Sequence, residues 1–255
     1  MSLWRTERVG LYVGQSEVAL ARERRGADDG QASVDGGDWT ASVAALSGLL
    51  ERCDVRNGSA ELRLGGPLAQ ALIVPWQAQL PGRQDREDYA LHLYAKTFGE
   101  TPGPLDVALG NADYGQAAPA FFVERALIEA LRATLALRGV TLRVVEPLLV
   151  AAFNRFRRTF ADTGAAVLVV TEPRCVHVAL FQAGAWTAIR SRRVTADADD
   201  IAQVLRREIT TLPAQAERVH LLAHASLAGL DEIAGIPVSR LRLARSEAPG
   251  FALLQ

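Results

Sequence analysis

The sequence predicts a two-lobed α/β protein with mixed sheets and flanking helices. Two stretches, Val9–Leu20 and Val167–Leu180, read as one hairpin used twice: an apolar run, a tight polar turn, a second β-rich run. The elements after each hairpin also match. With residues 67–122 set aside as an insertion, both halves read βββ-α-β-α-β. Antiparallel hairpins followed by helix-linked strands give mixed sheets with helices packed on their faces. The 255 residues are 49% hydrophobic and 22% charged, enough apolar content to fill two lobes.

Lobe I is assigned to residues 1–159. Strands are expected at 8–13 and 17–23, with a third at 31–35 beyond the loop Gly26-Ala27-Asp28-Asp29-Gly30. A helix follows over 39–53, where Val43, Leu46, Leu49, Leu50 and Cys53 recur at helical spacing. Asp38 stands ready to cap it. Ala60–Leu64 alternates apolar and polar like a half-buried strand and ends at Gly65-Gly66-Pro67. The insertion reads as strand 72–74, helix 85–98, and strands 105–109 and 118–123. A helix over 124–138 places Leu127, Ile128, Leu131 and Leu135 on one face and stops at Gly139. Strand 140–145 runs into Glu146-Pro147, and helix 148–158 carries Leu149, Ala152, Phe153 and Phe156.

Lobe II, residues 160–255, reads as strands at 165–171, 175–182 and 185–194, then helix 198–212 and strand 218–222. A short helix at 226–234 and a strand at 236–243 complete it. Ile201, Val204, Leu205, Ile209 and Leu212 line one face of the long helix. The short link from that helix to the next strand leaves no room for a second insertion.

Bulk composition excludes several classes. A net charge of −1 gives no electrostatic case for nucleic acid or an anionic membrane. Lys96 is the only lysine, which removes most candidates for a phosphate-gripping one. Cys53 and Cys175 lack CxxC spacing, so neither a zinc site nor a disulfide framework is expected, and a reduced, cytoplasmic setting is. Met1–Arg8 is charged with no apolar signal core, and no run approaches the ~20 apolar residues of a membrane helix.

Two segments carry a family likeness. Arg8–Leu20 is the opening hairpin. In Gly139–Phe156 a helix ends at glycine, a strand leads to Glu146-Pro147, and an alanine-rich helix comes next. With the duplicated order, they resemble the actin-like ATPase superfamily, whose lobes share a ribonuclease H-like fold. Within it the chain looks most like PilM of type IV pilus assembly and the cytoplasmic domain of the type II secretion L-protein. The latter continues into a membrane helix, whereas this sequence shows none, so the chain reads as part of such a protein or as a PilM-like soluble subunit.

Active members of that superfamily hold nucleotide on two hairpin turns. Each turn offers an aspartate that organises the metal's water shell, and glycines whose N–H groups approach the phosphates. Here the resemblance places Tyr12 at the first aspartate position and keeps only Gly14. Thr171 stands at the second aspartate position, Glu172 adds negative charge, and Pro173 has no N–H to give. The adenosine-side turn, normally Gly-Gly, reads Ala223-His224. The expectation is therefore no catalytic residue, no metal and no required cofactor, with ATP binding without turnover left open. The implied role is a non-catalytic cytoplasmic scaffold, peripheral to the bacterial inner membrane. Its implied partners are a bitopic inner-membrane assembly protein and a secretion or pilus assembly ATPase, with a second copy of the chain as a further candidate. The alternative is an active actin-like ATPase or small-molecule kinase with divergent loops.

The remaining chemistry-bearing residues have plainer readings beside sharper ones. His177 and His220 sit on strands among apolar neighbours and read as packed, hydrogen-bonded histidines. His220 and His224 have the i, i+4 spacing of a helical metal pair, but a strand would not converge them. No GxSxG, HExxH, P-loop or GxGxxG pattern occurs. Cys175 reads as an inert buried thiol and Ser16 as a turn former. Arg190, Arg192 and Arg193 read as a solvated strand face, or else as a docking patch for an acidic partner. Trp76 reads as core, or as an anchor for a partner peptide.

Overall fold

The structure, a computed structural model, describes residues 7–22, 29–35, 37–99, 103–160, 164–195, 197–223, 227 and 229–242. β1 (Glu7–Val13) and β2 (Glu17–Arg22) form the first hairpin, with β3 (Gly30–Ser33) antiparallel to β2. α1 (Trp39–Arg52) crosses to β4 (Gly58–Leu64), which lies parallel to β1. The insertion comes next: β5 (Gln70–Val74), α2 (Arg83–Phe98), β6 (Leu105–Leu109) and β7 (Ala118–Glu124), with a sheet of its own in the order β5-β7-β6. α3 (Arg125–Ala136) returns to lobe I and leads to β8 (Val140–Pro147), parallel to β4. α4 (Leu148–Phe156) and a 3-10 turn at 157–160 join the lobes.

Lobe II repeats the plan. β9 (Ala165–Glu172) and β10 (Cys175–Gln182) form its hairpin, and β11 (Ala185–Arg193) pairs antiparallel with β10. α5 (Ala198–Thr210) crosses to β12 (Arg218–Leu222), parallel to β9, and β13 (Glu232–Ile233) and β14 (Ile236–Arg240) finish the sheet. The sheet orders are β3-β2-β1-β4-β8 in lobe I and β11-β10-β9-β12-β14-β13 in lobe II. Apart from the two-residue β13, strand takes the place of strand. The strand order of the duplication read from the sequence is present, while the second helix expected in lobe II is not seen among the described residues.

Packing follows the periodicities. Leu46, Leu49 and Leu50 of α1 and Leu127, Leu131 and Leu135 of α3 seal one face of the lobe I sheet. Each such leucine contributes about 1.5–3 kcal/mol by leaving water. α5 seals the outer face of the lobe II sheet through Ile201, Leu205 and Ile209. The inner face meets lobe I, where Tyr12 and Ala19 join Leu148 and Ala152 of α4 against Leu168, Val170 and Phe181. Asp38 caps α1 as expected, accepting from the N–H groups of Thr40 and Ala41. Gly139, at φ 69°, ends the turn after α3. Among the described residues no helix is long and apolar enough to cross a membrane.

Most boundaries shift by a residue or two; the departures that matter lie in α4 and at the end of lobe II. The helix expected over 148–158 stops at Phe156 and tightens into the 3-10 turn. The short helix expected at 226–234 is replaced, over its described part, by a turn and a hairpin strand. Ala234 and Gly235, at φ 54° and 78°, form the tight turn that pairs Ile233 with Ile236. Leu227, Leu230 and Ile233 have helical spacing, yet pack into the lobe II core from a turn and a strand. The last strand ends at Arg240, and the final residue of the expected strand 236–243 lies outside the described residues.

Candidate functional site: the inter-lobe cleft

The ends of β1, β4 and β9 converge where the lobes meet. Alternation along β9 puts Val167 and Val169 on the face covered by α5, and with them Thr171. Leu168 and Val170 face lobe I, and so does Glu172. Tyr12 points toward the same place from β1, opposite in sense to Leu11 and Val13, which enter the lobe I core.

Glu172 is buried and accepts three hydrogen bonds. The Tyr12 hydroxyl donates to its Oε2 at 2.6 Å, and the Gly66 N–H to its Oε1 at 2.8 Å. His177 Nε2 lies 2.6 Å from the same Oε1, and Nδ1 lies 2.8 Å from Ser191 Oγ. The chain Tyr12–Glu172–His177–Ser191 thus spans both lobes, with the first three residues sealed from water. Burial pushes the Tyr12 phenol up and the Glu172 charge reinforces this, so it stays a hydroxyl donor. Burial raises the Glu172 carboxyl, but the His177, Tyr12 and Gly66 donors outweigh it and hold the group below its ordinary value. Burial likewise works against a charged His177. The neighbouring Cys175 and Glu172 overcome that and raise the imidazole to about 10.

The glycines around this network are required by contact. A methyl added to Gly66 would overlap the His177 ring; one on Gly65 would strike Glu172 Oε2, and one on Gly14 the Tyr12 hydroxyl. Their amides are also engaged. Gly14 N–H donates to the Glu17 carbonyl at 2.9 Å, Gly65 N–H to that of Val13 at 2.8 Å, and Gly66 N–H to Glu172. Ser42, fully buried on α1, donates to the Gly14 carbonyl at 2.9 Å.

The Ser191–His177–Glu172 line has the connectivity of a hydrolase triad, but its electrostatics differ. A general base must be neutral before it can take the serine proton. An imidazole raised to about 10 is protonated at neutral pH and donates at both nitrogens, so Ser191 serves it as an acceptor. The arrangement is a buried ion pair with a serine oxygen at its far end.

No protein-family model matches the sequence, and no curated protein sequence is similar enough to count as a relative. Solved structures are more informative. A Bacteroides thetaiotaomicron protein with an actin-like ATPase fold and unknown function superposes with a TM-score of 0.62 at 10% identity, covering 92% of this chain and 91% of that one. The PilM–PilN type IV pilus biogenesis complex gives a TM-score of 0.63 at 15% identity, over 93% of this chain and 88% of that one. The chain has the actin-like ATPase fold. The cytoplasmic domain of EpsL, an inner-membrane component of the Vibrio cholerae type II secretion system, shares it, with a TM-score of 0.54 at 12% identity over 95% and 87% of the two chains.

In this actin-like frame the residues singled out from sequence fall into three groups. Tyr12 and Gly14 sit in the cleft, in contact with the buried network. Thr171 lies beside it on the opposite face of β9, and Pro173 is exposed at the hairpin tip. Ala223 comes directly after β12, half-buried, while His224 lies outside the described residues. From the end of β9 it is Glu172, the neighbour of Thr171, that enters the cleft. The sequence reading had Glu172 as added negative charge but missed its donors, and missed the roles of Gly65, Gly66 and Ser191. Gly65-Gly66 read as a strand terminator, and only the period-two alternation of β9 pointed Glu172 inward.

The arginines of β11 have partners within lobe II. Arg192 Nε donates to Glu208 Oε1 at 2.9 Å, and Arg190 donates to the Glu208 carbonyl at 3.0 Å and the Thr211 carbonyl at 2.7 Å. Glu208 is buried, and both arginines form ion pairs with its carboxylate. Arg193 is exposed. Trp76 is half-buried, with its ring edge-on to Tyr114 at 4.9 Å.

Proposed function

We propose that this chain is a non-catalytic actin-fold scaffold of a type IV pilus or type II secretion assembly platform at a bacterial inner membrane. It links a bitopic membrane protein to the assembly ATPase. One observation carries the non-catalytic part: the Glu172 carboxylate is buried between the lobes, with donors from both. The Gly66 amide already serves that carboxylate. The paired Glu172 and His177 charges cancel, so the buried network offers a polyanion no surplus positive charge. A triphosphate entering there would have to break buried hydrogen bonds and face a carboxylate.

The assembly-platform part is supported by likeness of fold to the PilM–PilN complex and the EpsL domain. It is tested in cells carrying a tagged chain. The scaffold reading expects the tagged chain to sediment with the inner membrane and to bring down a single-span protein and a hexameric ATPase. It also expects the purified chain to release no phosphate from Mg-ATP above a heat-denatured control. Steady phosphate release, abolished by changing Tyr12 or Glu172, would favour the ATPase alternative.

A further inference from the structure

A cavity between the insertion and lobe II borders the buried network, with Gly66 and Ser191 in its lining. It holds about 460 Å³, within the usual range for ligand sites. β5 and the end of α2 form one wall, and the segment from Ile189 to Arg193 on β11 forms the other. Among the described residues its lining contains Arg190, Arg192 and Arg193 and no carboxylate. Glu208 meets Arg190 and Arg192 from behind, one buried negative charge against two positive ones, so the groove keeps a positive excess. Gln70 also lines it, and its Oε1 is buried without a hydrogen-bond partner. A buried acceptor in that state calls for a donor. Phe98, 45% exposed, adds an apolar rim.

β5 and β11 are terminal strands of their sheets and lie beside one another, so the groove opens next to their line of contact. We infer that the groove binds an acidic, extended segment of a partner protein. Backbone N–H groups of that segment satisfy Gln70, its carboxylates meet Arg193 and its flanking arginines, and an apolar side chain rests on Phe98. A small anion would use the arginines but leave Gln70 and Phe98 idle. The inference rests on the scaffold reading and adds where, and by what chemistry, a partner is held.

The test uses fluorescence anisotropy with a short labelled peptide alternating glutamate and threonine, and its lysine–threonine counterpart. The acidic peptide is expected to bind about tenfold tighter than the basic one, and to weaken as salt rises. Arg193→Glu should weaken it by about tenfold again without moving the melting temperature, and Phe98→Ser should weaken it severalfold. Equal binding of the two peptides, or indifference to Arg193→Glu, overturns the groove. So does complete competition by free glutamate, which would make it a small-anion site. If the peptide fails while Mg-ATP is also ignored, the groove alone falls. Turnover of ATP would overturn the scaffold reading whatever the peptide does.

Discussion

Glu172 receives donors from both lobes while sealed from water, so each donor has a measurable worth. Tyr12→Phe removes a hydrogen bond to a buried charge and should cost about 1.5–3 kcal/mol. It is read as a lower urea midpoint at unchanged slope. In a double-mutant cycle, Tyr12→Phe should cost much less once Glu172 is Gln. Gly66→Ala forces a methyl into the His177 ring and should cost about 1–3 kcal/mol by overpacking. The sequence made Tyr12 legible as a departure from an aspartate position. It could not show where Glu172 would find its donors, because Tyr12 lies 160 positions away and Gly66 lies 106. Only the register of two separate sheets brings them together.

At the scale of elements, strong periodicity and terminators carried the reading. The faces of α1, α3 and α5 were visible as helical spacing, and Gly139 as a stop. Gly139→Ala places a Cβ on a left-handed residue, against Asn57, and should cost about 1–2 kcal/mol in urea unfolding. β9 is buried on both faces, so its apolar run shows no change of polarity, and only the period of two places Glu172 inward. The reading failed at 226–234. Its apolar spacing suits a helix, and nothing local announces that Ala234 adopts a positive φ beside Gly235. The arginines of β11 were visible as a cluster, but Glu208, which pairs with two of them, is offered from α5 and read as an ordinary helix residue.

For the whole molecule, the buried pair ties stability to pH. His177 is raised from its ordinary 6.5 to about 10, so its contribution is complete below about 6.5 and is lost as pH rises toward about 10. Glu172 is lowered from its ordinary 4.5, so its contribution is present above that value and lost as pH falls below it. The stability gap between the wild type and a Glu172→Gln/His177→Gln variant should therefore be flat from about 4.5 to 6.5 and shrink on either side. Urea midpoints across pH measure it, and a gap that widens above 6.5 would contradict the pairing. The two-lobed plan was legible because duplication repeats its evidence. The cleft's chemistry was legible only as loss, since sequence shows missing groups more readily than the ones that replace them. The central claim is that the cleft is already filled by the protein's own side chains, and calorimetric titration with Mg-ATP tests it most directly. The account predicts no saturable heat and no rise in melting temperature. A saturating isotherm, with the roughly 2.7 kcal/mol of stabilisation expected at a hundredfold excess over Kd, would contradict it.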